Sequence, residues 1–305
     1  MRSLFELIGI SIFLFTGSLF AQHNNWIDTS RHEGLFEIES DYPFQILVSN
    51  KEFMPSETTL NNLRNAKIYL DELFNQNLQF AVLFIENEKW MKHAYFPPPG
   101  MPQGWQGNII LGAGVSVMST GLKNVISQLA ENVQQPLKEV YGAELNFDLF
   151  YRESLGLHEL GHLYQFKQAV QPQRKWLSEL FATMCMYAFV DNECNSCYPY
   201  MNTLPEFSLQ GGRENYEFKA LKDFEEKYVQ GMSPDNYGWY QMQLYSKAKS
   251  IIESVGDDVL VKLLSFLVET DQSKVGSLND EELALQLKSM VGSEVSEVLT
   301  EWKYN

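Results

Sequence analysis

The sequence predicts an α+β protein with a mixed α/β N-terminal lobe around a small sheet and an α-helical C-terminal lobe. Three observations carry that expectation. Short runs rich in β-branched and aromatic residues fall only before Gly114, bounded by glycine, proline and asparagine. From residue 146 onward the apolar residues recur at helical spacing in segment after segment. No repeat of solenoid period interrupts either half. The expected division is a leader over 1–21, an N-terminal lobe over 22–145 and a helical lobe over 146–305.

The leader reads "MRSLFELIGISIFLFTGSLFAQ". Arg2 precedes an apolar run from Leu7 to Phe20, and Ala21 offers a small residue for cleavage. This is the pattern of a secretory signal peptide. Glycines, serines and a threonine break up the run, which is short for a membrane span. A secreted or periplasmic location follows, without stable membrane insertion.

Leu35 to Asn50 reads as one or two strands. Ser56 is then a candidate N-cap for a helix whose apolar face includes Leu60, Leu63, Ala66, Leu70 and Leu73, with Lys67 the polar exception. "LQFAVLFIE" from Leu78 is a buried strand. "NEKWMKHAYFPPPGMPQGWQG" is read as a loop. Its Trp90, His93, Tyr95, Phe96 and Trp105 could cover a cleft and shape substrate choice. "NIILGAG" from Asn108 is a short strand, and Leu122 to Gln134 is read as a helix that Pro136 interrupts.

A helix follows through "DLFYRESLGLHELGHLYQFKQAV", with Asp148 as a candidate N-cap, and another through "KWLSELFATMCMYAFV". Residues 191–212 look irregular. Segments starting at Arg213, Asn236, Asp257, Asn279 and Glu294 read as helices. The helix near residues 149–166 lies at the junction of the lobes, where clefts form.

The chain has 305 residues and a net charge of −16, which argues against nucleic acid or an anionic membrane as partner. Its three cysteines, Cys185, Cys194 and Cys197, imply one disulfide and one free thiol in an oxidising compartment. Cys194 and Cys197 form a lone CxxC pair. A bridge pinning a loop and a redox pair are the two readings.

"HELGH", from His158 to His162, carries the chemistry. Residues four apart share one helix face, so both imidazoles can reach one ion. Glu159 then points beside the metal, where it can take a proton from an activated water. Two ligands are too few for a catalytic zinc. None of the five histidines follows His162, so a carboxylate on the next helix, Glu179, is the candidate third ligand.

The residues "HELGH" and "WLSELFAT" together resemble the gluzincin metallopeptidases, most closely the aminopeptidase-N-like family. Trp176, Leu177, Glu179, Phe181, Ala182 and Thr183 match that family's W-L-N-E-G-F-A-T block, while Ser178 and Leu180 depart from it. Downstream, Tyr245 and Lys247 match its Y-x-K-G block, with Ala248 in place of the glycine. The resemblance implies a zincin-like fold and a catalytic Zn2+ on His158, His162 and Glu179. It also implies an oxyanion-stabilising hydroxyl on Tyr245. Tyr240, five residues earlier, is a candidate second hydroxyl. The family's G-x-M-E-N block, which holds a substrate's free amino terminus, has no counterpart in "NIILGAGVSVMS". That stretch could still be an edge strand that pairs with a peptide.

The function expected is a secreted zinc-dependent peptidase acting on a peptide or protein. The competing class is a non-catalytic secreted binding protein with a structural zinc site.

Overall fold

A computed structural model of the chain describes residues 26–210, 216–228 and 231–302. The signal-peptide reading of residues 1–21 lies outside the described residues. Among those described, no helix is long and apolar enough to cross a membrane.

The architecture is α+β. Strands β1 (Phe36–Ile38), β2 (Gln45–Val48), β3 (Ala81–Ile85), β4 (Gln103–Trp105) and β5 (Asn108–Gly112) form a mixed sheet ordered β1-β2-β3-β5-β4. The inner pairs β2–β3 and β3–β5 are parallel, and the outer pairs are antiparallel. Every residue of β3 and β5 is buried, as expected of parallel strands covered on both faces. The helices are α1 (Glu57–Phe74), α2 (Trp90–His93), α3 (Val117–Ile126), α4 (Glu131–Tyr141), α5 (Leu155–Phe166), α6 (Lys175–Glu193), α7 (Tyr198–Leu209), α8 (Leu221–Lys227), α9 (Pro234–Val255), α10 (Asp258–Glu269), α11 (Gln272–Val275), α12 (Asp280–Met290) and α13 (Ser293–Thr300).

One sheet face, with Ile46, Val82, Phe84, Ile109 and Leu111, joins α1, α5 and α6 in the main hydrophobic core. The other face, with Leu47, Leu83, Ile85 and Ile110, packs on Trp90 and Ala94. The main core therefore contains residues from both halves of the chain. Helix α6 is its axis: every residue from Trp176 to Val190 is buried. A helix this apolar on all sides has to lie inside.

The helix read from Arg213 begins at Leu221 as α8, and residues 213–215 of that reading lie outside the described residues. Four further elements differ from the sequence reading, each for a local reason. First, the stretch read as a loop before Asn108 contains α2 and β4. Gln106 (φ 43°) and Gly107 (φ 71°) form the two-residue turn joining β4 to β5, with the paired positive φ of a tight hairpin. The strand "NIILGAG" is thereby interior, and the edge is β4.

Second, the helix expected over Leu122–Gln134 is broken between α3 and α4. The Gln134 side chain donates to the Leu129 carbonyl (2.7 Å), so the break leaves that carbonyl satisfied. Third, Asp148 caps no helix. Its carboxylate accepts from the Ser116 amide (3.1 Å), and the chain enters α5 through a π-helical turn at Leu149–Ser154. Fourth, residues 191–212 include α7. Pro199 sits in its first turn, where a missing N–H costs nothing, and the Cys194–Cys197 disulfide spans the joint with α6. Cys185 is free and buried.

Candidate metal centre

Helix α5 presents His158 and His162 one turn apart on the face turned to α6. Their rings lie edge to face, 4.6 Å between centroids. Glu179, in the second turn of α6, meets both. Its Oε2 lies 3.4 Å from His158 Nε2 and 3.6 Å from His162 Nε2. One ligand atom from each residue falls within 4.8 Å of the others, and all three side chains are buried. This group could hold a metal ion.

Close approach of the two helices brings the three residues together. A Cβ on Gly161 would stand 2.9 Å from the Ala182 Cα and carbonyl oxygen, so only glycine lets α6 lie this near. Gly161, between the two histidines, is thus the contact point of α5 with the helix that carries Glu179.

Thr183 orients His158. Its hydroxyl donates to the Glu179 carbonyl (2.8 Å), so its oxygen is left to accept from His158 Nδ1 at 3.2 Å. A proton on Nδ1 leaves the Nε2 lone pair free on the side facing Glu179.

Burial alone would raise the Glu179 carboxyl. The charge of His162 and the nearness of both imidazoles instead hold it well below the usual carboxylate range. For His162 burial disfavours the charged form, but the Glu179 carboxylate wins and the imidazole is pushed up. Glu159 is raised above an ordinary glutamate, chiefly by burial, with the two histidines opposing. Such a carboxyl is a better proton carrier near neutral pH than an exposed one.

Glu159 is also fixed in direction. The Gly104 amide, on β4, donates to its Oε2 at 2.6 Å. A Cβ on Gly104 would lie 2.5 Å from the Glu159 backbone oxygen, so the edge strand rests directly on α5. The sequence reading missed Gly104. The one signal for it is the Gln106-Gly107 pair directly before the apolar strand at Asn108, a tight-turn dipeptide that puts the preceding residues on a paired strand.

The structure does not bring Tyr245 or Tyr240 to the group. The Tyr245 hydroxyl donates to Asn202 Oδ1 (3.4 Å), and its ring lies 6.0 Å from that of Tyr187. Tyr187 follows Glu179 by two helical turns, about 12 Å along α6. The Tyr240 hydroxyl is taken by the Ala220 carbonyl at 2.7 Å. Helix α9 reaches the group through a different face. Gln241 Nε2 donates to Glu179 Oε2 (2.9 Å) and to the Tyr237 hydroxyl (2.7 Å). Tyr228, after α8, donates to Glu179 Oε1 at 3.2 Å. Burial, then the Glu179 charge, keep the Tyr228 and Tyr237 hydroxyls protonated far above neutral pH. Both remain hydrogen-bond donors, and both are only half-buried.

His93 takes no part: its Nδ1 pairs with the Arg31 carbonyl at 2.8 Å.

No family model matches the chain, and no curated protein sequence matches it either.

Proposed function

We propose that the chain is a zincin-like, zinc-dependent peptidase, exported by its leader, with zinc held by His158, His162 and Glu179. The observation that carries this reading is the spacing of the donor atoms. Two ligands on a tetrahedral ion with bonds of about 2.05 Å stand roughly 3.4 Å apart. The Glu179 oxygen lies 3.4 and 3.6 Å from the two imidazole nitrogens. Two neutral imidazoles and one carboxylate suit zinc and are the protein ligands of its two-histidine, one-glutamate catalytic type. The "HELGH" and "WLSELFAT" resemblance supports the same choice.

When bound, zinc polarises a carbonyl and acidifies a water at this place. The chain's own residues supply the rest. Glu159, held by the Gly104 amide, takes the water's proton and delivers it to the leaving amine. Tyr237, whose hydroxyl accepts from the Gln241 amide that also holds Glu179, takes the oxyanion-donor role that the sequence resemblance gave to Tyr245, while the Tyr228 hydroxyl is spent on Glu179 Oε1. Gln241 holds Glu179 and Tyr237 in register.

The test is a zinc-loading and hydrolysis assay on a mixed peptide pool, with Glu159→Gln beside the wild type. One zinc per chain is expected in both, with hydrolysis lost about a hundredfold or more in the variant. Full activity in Glu159→Gln overturns the mechanism. A protein that binds no zinc overturns the site. Zinc that raises the melting temperature without supporting any hydrolysis favours the binding-protein reading.

A further inference from the structure

Beside the metal group lies an aromatic surface that the catalytic reading does not use. The Phe166 ring is stacked on that of His162, 5.3 Å between centroids and 3° from parallel. Trp105 meets Phe166 edge to face at 4.8 Å. Phe166 is half-buried, but Trp105 is 39% exposed. A single exposed apolar residue on a protein surface needs no explanation. Two features set this one apart. Through Phe166 it is in ring contact with a candidate metal ligand. It also follows Gly104 on the edge strand, whose amide points at Glu159.

We propose that Trp105 and Phe166 form the wall of a substrate subsite that takes an apolar or aromatic side chain flanking the scissile bond of a peptide. The inference rests on the peptidase reading and adds its side-chain preference. An extended peptide advances about 3.3 Å per residue, with same-face side chains about 6.6 Å apart. Ring contacts of 5.3 and then 4.8 Å place Phe166 within two residues of the His162 ring and Trp105 within about three. A flat, partly solvated indole gains most from a ligand that covers it with apolar or aromatic surface. The turn behind the wall is braced: the Asp28 amide donates to the Gln106 carbonyl at 2.9 Å, and Ile27 packs against Gly107. Trp105 therefore sits on a supported hairpin, which favours a formed subsite over a mobile side chain.

The test uses the zinc-loaded full chain and two peptide hydroxamates that differ only in one side chain, benzyl or methyl, with binding read by calorimetry. The wild type is expected to prefer the benzyl compound by about tenfold or more, from the apolar area covered. Trp105→Ala should cut that preference below about threefold, chiefly by weakening the benzyl compound, and Trp105→Phe should restore most of it. An undiminished preference in Trp105→Ala overturns the proposal, as does a wild type that binds both compounds equally. A Trp105-dependent preference in a protein that cleaves no peptide keeps the subsite and overturns the catalytic reading. Failure of both hydroxamates to bind the zinc-loaded chain overturns both.

Discussion

Helix α5 carries buried polar groups on two faces, and they are arranged in opposite ways. On the face toward α1, Tyr164 donates to Asp71 Oδ1 (2.7 Å) and reaches the Lys67 carbonyl (3.1 Å). Asp71 also accepts from Lys67 and from the Leu78 amide, and Lys67 from its side donates to Asn77. Every charge in that cluster has an opposite charge or a hydrogen bond, and the whole ties α5 to α1. On the face toward α6, two imidazole nitrogens converge on one carboxylate oxygen at 3.4 and 3.6 Å. That spacing is too long for a strong ion pair and suits ligands around a common ion. The lesson is that burial of charge does not by itself mark a site. What separates the two clusters is whether the polar groups close on one another or on a shared point.

The largest break in this comparison should come from Glu179→Ala. It should lower zinc affinity at least a hundredfold, read by competition with a chelator, because two imidazoles alone do not make the three-ligand site. Lys67→Met should do the reverse. It leaves the half-buried Asp71 without its cation, at a cost of about 1–3 kcal/mol in denaturant unfolding, with zinc stoichiometry unchanged. Equal losses of zinc in both variants would show that the two faces are not independent.

Gly161→Ala is expected to act on both readouts at once. Its new methyl would stand 2.9 Å from the Ala182 backbone, forcing the helices apart. A loss of about 1–3 kcal/mol is expected, with weakened zinc binding. Stability falling alone, with zinc affinity intact, would mean that Gly161 does not set the distance between the histidines and Glu179.

The smallest effect concerns a charge remote from α5. Asp271 is buried, which works against ionisation. The Ser273 hydroxyl, Lys274 and the Gln171 and Ser273 amides nevertheless pull its carboxyl down to about 2. Its ordinary value is 3.8, so it stabilises the fold at neutral pH, in full above about pH 4. That contribution, roughly 2 kcal/mol, is lost as pH falls through 2. Asp271→Asn should remove it, and the variant's stability should then fall less steeply than the wild type's below pH 4. A parallel fall in the two proteins would contradict the assignment.

Much of the candidate centre was legible because its information is local. An i, i+4 pair of histidines shares a face on any helix. Lys67 stood out as a polar residue in an apolar stripe, and it is indeed buried, with Asp71 one turn on as its partner. The β4–β5 hairpin was hidden because its strand is three residues long and lies in a proline-rich stretch. Helix α7 was hidden because Pro199 and Pro205 read as breaks.

The tyrosines show where such reading ends. Tyr228, Tyr237, Tyr240 and Tyr245 lie within one short stretch, and nothing in their spacing says which hydroxyls face Glu179. The rotation of α9 against α6 decides it, turning Gln241 and Tyr237 toward the carboxylate and Tyr245 toward Asn202. By itself the sequence determined the α+β class and the helix bearing both histidines, since each follows from periodicity along one segment, and it named Glu179 as third candidate ligand from the lack of a later histidine and the resemblance carried by "WLSELFAT". Only the tertiary structure decided which strand is the edge, which amide holds Glu159 and which hydroxyls stand at the centre. Those are relations between segments far apart in the chain, set by how their surfaces pack.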